Sequence, residues 1–304
     1  ESMTGISVKF FGPGEYPYKS VLLERTCESI PYDLKNLGYS THAIHNHRGA
    51  FYGRNKVFRN LGYDTFTSLE YMNNVIKTPR NWAKDGILTD EILDALNSTQ
   101  GRDYIYTIST QGHGAYPEEQ LIDDPEITVT GAATEAQNNQ WEYYCNEIHE
   151  MDNFVKELTD ALADYPEDVI LVMYGDHLPT MGLTVEDLKN KYLFQTEYVI
   201  WDNFGMEKKK VNLSAYQMAA EVMDRAGIHE GTIFRYHQAR RNTRNYQVDL
   251  ETLQYDLLYG EKYAYKDKEL TFERTKMRMG IYDVSLDSMD LISDIDFTYR
   301  LKGT

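Results

Sequence analysis

Several things are scarce in this chain, and each scarcity removes a class of protein. Its 304 residues include two cysteines, eight prolines and three tryptophans. Cys27 and Cys145 form no CxxC metal motif and no disulfide framework. They read as two separate buried thiols, with pairing reserved for an oxidising compartment. No window holds the roughly 18 apolar residues that a membrane-spanning helix needs. No charged-then-apolar leader follows Glu1, and with no initiator Met the chain is read as a piece of something longer. Positive charge is short as well. Lys and Arg total 31 against 48 Asp and Glu, a net charge of -17. Sequence-independent nucleic-acid binding depends on neutralising phosphates, so it is excluded. No P-loop and no glycine-rich dinucleotide fingerprint follows a predicted strand. Ser109 and Ser214 lack the glycine context of a serine-hydrolase elbow.

What is present is globular. Apolar residues make up 41% and charged residues 26%, enough to bury a sizeable core. Ser20–Leu37 reads as a helix stopped by Gly38, followed by a strand over Tyr39–Ile44. Arg54–Leu61 reads as a helix closed by Gly62, and Asp64–Leu69 as a strand. Thr89 is placed to cap a helix over Asp90–Leu96. Asp103–Thr110 is rich in β-formers. From Trp141 to Leu162 apolar residues recur every three or four positions, one face of a long helix ended by Pro166. Asp168–Tyr174 is an apolar run expected to be covered on both faces. Gln195–Trp201 is a further strand, Leu213–Ala226 a helix, and Ile233–Leu258 helical in pieces. Alternating helices and strands over about the first 200 residues predict a mostly parallel sheet with helices on both sides.

Three places carry chemistry. Asp176-His177 directly follows the apolar strand, where ligands of open α/β sheets bind. One carboxylate and one imidazole suit Mn²⁺, Zn²⁺ or a similar divalent ion; the plain alternative is a capping Asp beside an incidental His. His113, between Gly112 and Gly114, again follows a strand, and either contacts a ligand or simply packs. Third comes the stretch holding His42, His45, His47, Arg48 and Arg54. His45 and His47 are two apart and point the same way on an extended backbone. Such a pair binds metal, donates to a phosphate or glycerol hydroxyl, or is merely a polar loop. Arg54 could grip phosphate with two parallel N–H bonds. All three loops are expected to converge on one edge of one sheet. His149, in the long helix, is expected to be satisfied in or near the core; His229 and His237 have no evident partner, and Lys208–Lys210 reads as a solvated turn.

The stretches Pro31–Phe66, Tyr106–Pro117 (YTISTQGHGAYP), His149–Leu158 (HEMDNFVKEL) and Val169–Pro179 (VILVMYGDHLP) share one resemblance, and Gln254–Glu261 adds to it. In order and spacing they resemble the lipoteichoic acid synthase group of the sulfatase/alkaline phosphatase superfamily. The resemblance implies an outward-facing, membrane-anchored enzyme, mostly of Gram-positive bacteria. Such enzymes move glycerol phosphate from phosphatidylglycerol to a glycolipid or growing chain through a Thr-linked intermediate, usually with Mn²⁺. It implies Asp176 and His177 as metal ligands, and His113 as the residue contacting the substrate phosphate. It places His45, Tyr52 and Arg54 around the glycerol-phosphate headgroup. Where the group often has Trp this chain has Tyr52, and where it has an acidic residue this chain has His47, so His47 also joins the headgroup set. The group's Glu ligand and Thr nucleophile match nothing in residues 1–304, so the chain alone is expected to be inactive and to bind metal weakly.

The expectation is therefore an α/β, alkaline phosphatase/sulfatase-like three-layer sandwich with a mostly parallel sheet. Its catalytic core would span 1–204, a helical part 205–279, and a β tail 280–304, either a hairpin or the start of a further β-domain. Competing readings are a phosphoethanolamine transferase or sulfatase of the same fold, a non-catalytic wall-associated domain, and a metallohydrolase built on His45 and His47. A sulfatase would need a Cys or Ser in a maturation motif, which Cys27 lacks.

Overall fold

The computed structural model describes residues 1–268, 272–281 and 284–285. The chain runs α1 (Val21–Glu24), α2 (Ile30–Lys35), β1 (Ser40–His45), α3 (Arg54–Asn60), β2 (Thr65–Ser68), α4 (Ile87–Asn97) and β3 (Asp103–Ile108). Then follow α5 (Glu135–Ala163), β4 (Ile170–Tyr174), β5 (Tyr198–Asp202), α6 (Ala215–Arg225), α7 (Thr232–Arg240), α8 (Tyr246–Leu258), β6 (Arg278–Met279) and β7 (Val284–Ser285). These elements fall into two compact units. The first gathers Glu1–Met72, Glu91–Ile108 and the chain from Lys210 onward; the second gathers Asn73–Asp90 and Ser109–Lys209.

The first unit is built on a sheet of order β3-β1-β2-β6-β7. β1 lies parallel to both β2 and β3, and β2 parallel to β6; only the β6–β7 pair is antiparallel. The mostly parallel sheet is thus as expected. α3 returns the chain from β1 to β2 and buries Val57 and Phe58. Phe58 meets Phe66 edge-on at 4.8 Å and Tyr63 at 5.4 Å, geometries that suit ring quadrupoles. Gly62 turns the chain at φ 89°, and a Cβ there would press on the Tyr32 ring at 3.0 Å. Helices α6 to α8 complete the core with Ile233, Phe234 and Leu250, all fully buried. Ser214 and Gln217 form a reciprocal capping box at the start of α6.

One long helix over Ser20–Leu37 does not form. Pro31 lacks an N–H and clashes with a preceding turn, so it opens a second helix, α2, instead of continuing the first. Arg25 and Ser29 between them are extended, and the Ser29 hydroxyl donates to the Leu61 carbonyl at 2.5 Å. Helix α4 also starts earlier than expected. Leu88 and Thr89 donate to the carbonyls of Asp85 and Gly86, so Thr89 lies inside the first turn rather than capping it.

In the second unit β4 and β5 form an antiparallel pair, Ile170 opposite Asp202 through Tyr174 opposite Tyr198. β4 is half-buried along its length, not covered on both faces, and pairs only with β5 among the described residues. Helix α5 is capped by Thr134 and, against expectation, buries polar residues: Glu142, Asn146 and Glu147 beside Tyr143. The reason is the irregular segment packed on it. Asn146 accepts from Ile127 N at 3.0 Å and donates to Ile127 O at 2.8 Å, while Glu142 accepts from Val129 N at 3.1 Å. A backbone without a ladder partner needs side-chain partners once buried.

No helix among the described residues is long and apolar enough to cross a membrane. Both cysteines are free, Cys27 buried and Cys145 half-buried. Of the two β-like stretches after Gly280, the first contributes β7; the second, Ile292–Leu301, lies outside the described residues.

Candidate functional site

In the first unit β1 ends at His45, and α3 begins at Arg54 after a tight turn through Tyr52 and Gly53, both at positive φ. That turn folds the chain back, so the four residues singled out here are close together. His45 and His47 lie side by side, ring centres 5.9 Å apart. Arg54 donates from Nη1 to His47 Nδ1 at 3.1 Å, and its guanidinium stands over Phe51 at 5.1 Å and Tyr52 at 5.7 Å. Lys19, which sequence reasoning missed, sits over the Tyr52 ring at 4.5 Å. His42 turns away from this group to Asp103 at 3.1 Å and Thr65 at 2.8 Å, a buried structural contact.

His45 is fully buried, and its Nδ1 lies 2.9 Å from the Ile108 carbonyl. A carbonyl only accepts, so Nδ1 carries the proton and Nε2 keeps its lone pair. That Nε2 is buried without a hydrogen-bond partner among the described residues. Burial, with the Arg54 charge beside it, lowers the His45 pKa to about 3, so the ring is neutral at pH 7. Such an atom is an acceptor waiting for a hydroxyl or N–H donor.

In the second unit His113 and His177 approach at 6.0 Å in an edge-to-face arrangement, and Trp82 lies 5.3 Å from His113. His113 Nδ1 is 2.6 Å from the Gly114 carbonyl, and His177 Nδ1 is 2.8 Å from the Leu178 carbonyl. Both rings are therefore set in the same tautomer as His45. Thr196 Oγ1 donates to the Gly175 carbonyl at 2.6 Å and fixes the turn that presents Asp176.

Asp176 Oδ1 and His177 Nε2 are 3.8 Å apart, and both side chains are more than half exposed. Two donors each about 2.1 Å from one ion can be at most about 4.2 Å apart, so this pair fits a shared divalent cation. Among the described residues no group of three or more His, Cys, Asp or Glu is arranged to hold a metal. The pair thus offers two ligands. Convergence of all three loops on one sheet is corrected: β1 and β3 share a sheet, but β4, which precedes Asp176, belongs to the pair with β5.

Sequence reasoning also missed a polar network behind His113. Asp85, Gln111, Glu147, Glu150 and Lys84 are joined by hydrogen bonds, the first three almost fully buried. The available signal was Gln111, two residues before His113, and the acidic pair Glu147 and Glu150 on the helix that was read only for its apolar face.

Comparison with known proteins gives the family and the fold. The Sulfatase family model matches residues 1–228, and the chain belongs to that family. A putative cyclic beta-1,2-glucan modification protein of Rhizobium meliloti is 26% identical over 306 residues, covering 87% of this chain and 47% of its own. The chain thus spans about half the length of that relative. Among solved structures, Streptococcus pyogenes phosphoglycerol transferase GacH, in complex with sn-glycerol-1-phosphate, superposes with a TM-score of 0.75 at 21% identity. The match covers 90% of this chain and 75% of that one. The lipoteichoic acid synthase LtaP from Listeria monocytogenes gives 0.56 at 19% identity, over 75% and 58%. The fold is that of lipoteichoic acid synthase-like members of the sulfatase/alkaline phosphatase superfamily.

Proposed function

We propose that this sulfatase-family chain is the greater part of a phosphoglycerol transferase domain, taking glycerol phosphate from phosphatidylglycerol at the extracellular face of the cell membrane, where its parent protein is anchored. The observation that carries this reading is the common setting of three histidines. His45, His113 and His177 each tie Nδ1 to a backbone carbonyl and leave Nε2 for a ligand. A ring orientation held by such outer contacts is what metal and phosphate sites require.

Each group then has a role. Asp176 and His177 Nε2 would hold a divalent ion, Mn²⁺ in the first instance and Mg²⁺ or Zn²⁺ as alternatives. When bound, that ion lowers the pKa of a coordinated hydroxyl and neutralises phosphoryl oxygens. His113 keeps Nδ1 on the Gly114 carbonyl and turns Nε2 toward a phosphoryl oxygen. Arg54, oriented by His47 and by the Phe51 and Tyr52 rings, takes the phosphate. His45 Nε2 accepts from a glycerol hydroxyl. In the transfer a Thr oxygen bonds phosphorus while the bond to the diacylglycerol oxygen breaks, and that oxygen leaves with a proton. By this reading the Thr and a Glu ligand are not among residues 1–304, so these residues alone bind metal weakly and do not turn over. Likeness to a glucan modification protein over most of the chain favours a glycan hydroxyl as acceptor, with a glycolipid or growing polymer as the alternative.

The test uses fluorescent phosphatidylglycerol with Mn²⁺, comparing residues 1–304 with a longer form that includes a preceding Glu and Thr. The expected outcome is diacylglycerol release by the longer form only, abolished by Asp176→Ala. Saturable turnover by residues 1–304 would overturn the assignment of the nucleophile. No release by a longer form that binds Mn²⁺ would move the donor to another phospho- or sulfo-ester.

A further inference from the structure

The loop between β3 and His113 is held by far more polar groups than its length requires. Gln111 is about 1% exposed, and both polar atoms of its carboxamide are engaged. Its Oε1 accepts from Asp85 N at 2.7 Å. The two N–H groups of Nε2 donate to Glu147 Oε2 at 2.8 Å and Glu150 Oε2 at 2.5 Å. Asp85 returns the contact, its Oδ1 accepting from Thr110 N at 3.2 Å and Gln111 N at 3.3 Å. Lys84 Nζ neutralises Glu150 at 2.7 Å.

Next along the chain, Gly112 backs onto α5 so closely that a Cβ would lie 2.9 Å from Ile148 Cδ1. His113 N then closes a turn on Thr110 O at 3.0 Å. The loop is thus referenced to α5 by the Gln111 side chain and by the close approach of Gly112, directly before the histidine.

Setting a buried carboxylate, Glu147, and a half-exposed one, Glu150, around one amide is an expensive way to pin a loop; apolar contacts would do it more cheaply if only burial mattered. Burial and Glu150 both raise the Glu147 pKa, which marks that cost. What the network adds is direction. Only a carboxamide at position 111 offers one acceptor to Asp85 and two donors to the glutamates. A Glu would bring a third carboxylate and no donor, and a Leu would take the Gln111 donor from buried Glu147 and leave Glu150 to Lys84 alone.

We propose that Gln111 is a positioning residue for His113, and that through its clamp on Asp85, Glu147 and Glu150 it fixes where the His113 imidazole stands. The inference rests on the reading of His113 as the residue that contacts the phosphoryl group.

Imidazole ¹⁵N spectra of residues 1–304 test it without turnover. Wild type should show His113 as the Nδ1–H tautomer. Gln111→Leu should move His113 toward averaged tautomers and leave His149 and His229 unchanged. Gln111→Glu alone should displace the His113 signal, and adding Glu147→Gln, which restores a donor opposite the new carboxylate, should bring it back. In the turnover-competent longer form, Gln111→Leu should lower kcat by roughly tenfold to a hundredfold with KM within about twofold, the signature of a misplaced group. A His113 spectrum and kcat both unmoved in folded Gln111→Leu would overturn the proposal. If that variant does not fold, the swapped pair decides: a folded Gln111→Glu/Glu147→Gln protein with His113 still displaced overturns it equally. His113→Gln separates the two layers. If it leaves release intact, the phosphoryl-contact reading fails; if it abolishes release while Gln111→Leu changes nothing, only the positioning role fails.

Discussion

Strand β1 and helix α5 each support candidate site residues, and they do so by opposite means. β1 delivers His45 from a parallel sheet whose Phe66 packs on Phe58, and the ring is kept dry, with Nδ1 on the Ile108 carbonyl. α5 supports the His113 loop through Gln111, Glu147 and Glu150, with little apolar cover. The candidate pair Asp176-His177, in the same unit as α5, is open to water. A buried neutral imidazole suits an uncharged hydroxyl, and an exposed carboxylate and imidazole suit a hydrated cation. The difference shows that packing and hydrogen bonding are two ways to orient a side chain, matched to what it must bind.

The contrast can be broken most forcefully at Phe66. Phe66→Ala removes a fully buried ring and should cost about 3–5 kcal/mol. Trp82, Trp141 and Trp201 all belong to the second unit, so tryptophan fluorescence follows that unit while far-UV circular dichroism follows both. In urea the dichroism midpoint should fall further than the fluorescence midpoint. Equal shifts would mean that the two units unfold as one.

Acid should act on the same contrast with the sign reversed between units. The pKa of His45 is lowered to about 3 and that of His237 to about 4, both chiefly by burial. Between those values and the ordinary 6.5 of an unfolded histidine, the unfolded chain binds protons that the native first unit does not. Stability of the first unit should therefore fall as pH drops below about 6.5, by up to about 1.4 kcal/mol per pH unit for each histidine. Glu147 is shifted upward, so its contribution is full below its unfolded value and is lost as pH rises through its folded one. Urea titrations at pH 7 and pH 5 should show the dichroism midpoint falling more than the fluorescence midpoint.

A smaller effect sharpens the account of α5. Asn146→Ala strips both partners from Ile127 and should cost about 1–3 kcal/mol, read in the fluorescence midpoint. A cost near zero would show that the polar seam is incidental.

The strands of the parallel sheet were legible because β1 and β2 each follow a glycine turn, at Gly38 and Gly62, and carry the β-branched residues Thr41, Ile44, Thr65 and Thr67. The helix around Pro31 was misjudged although the proline was in plain view, because hydrophobic spacing on both sides continued through it. His45, His47, Tyr52 and Arg54 lie within ten residues, so local geometry brings them together. The polar seam of α5 was not legible. Its partners are Gln111, Asp85 and the irregular segment around Ile127, and no periodicity announces a helix face that binds loop backbone. The sheet membership of β4 escaped for a similar reason, since strand pairing is decided by contacts distant in sequence.

The first unit is interrupted twice along the chain, and β6 joins β2 only when Arg278 reaches Thr65. On a ribosome, which emits the chain from its N-terminal end, the second unit is fully synthesised by Lys209 while the first still lacks α6 to α8 and β6. The buried sheet that carries His45 must therefore wait, half covered, for the chain from Lys210 onward to emerge. The region that is more apolar is thus also the one exposed longest to wrong partners during biosynthesis.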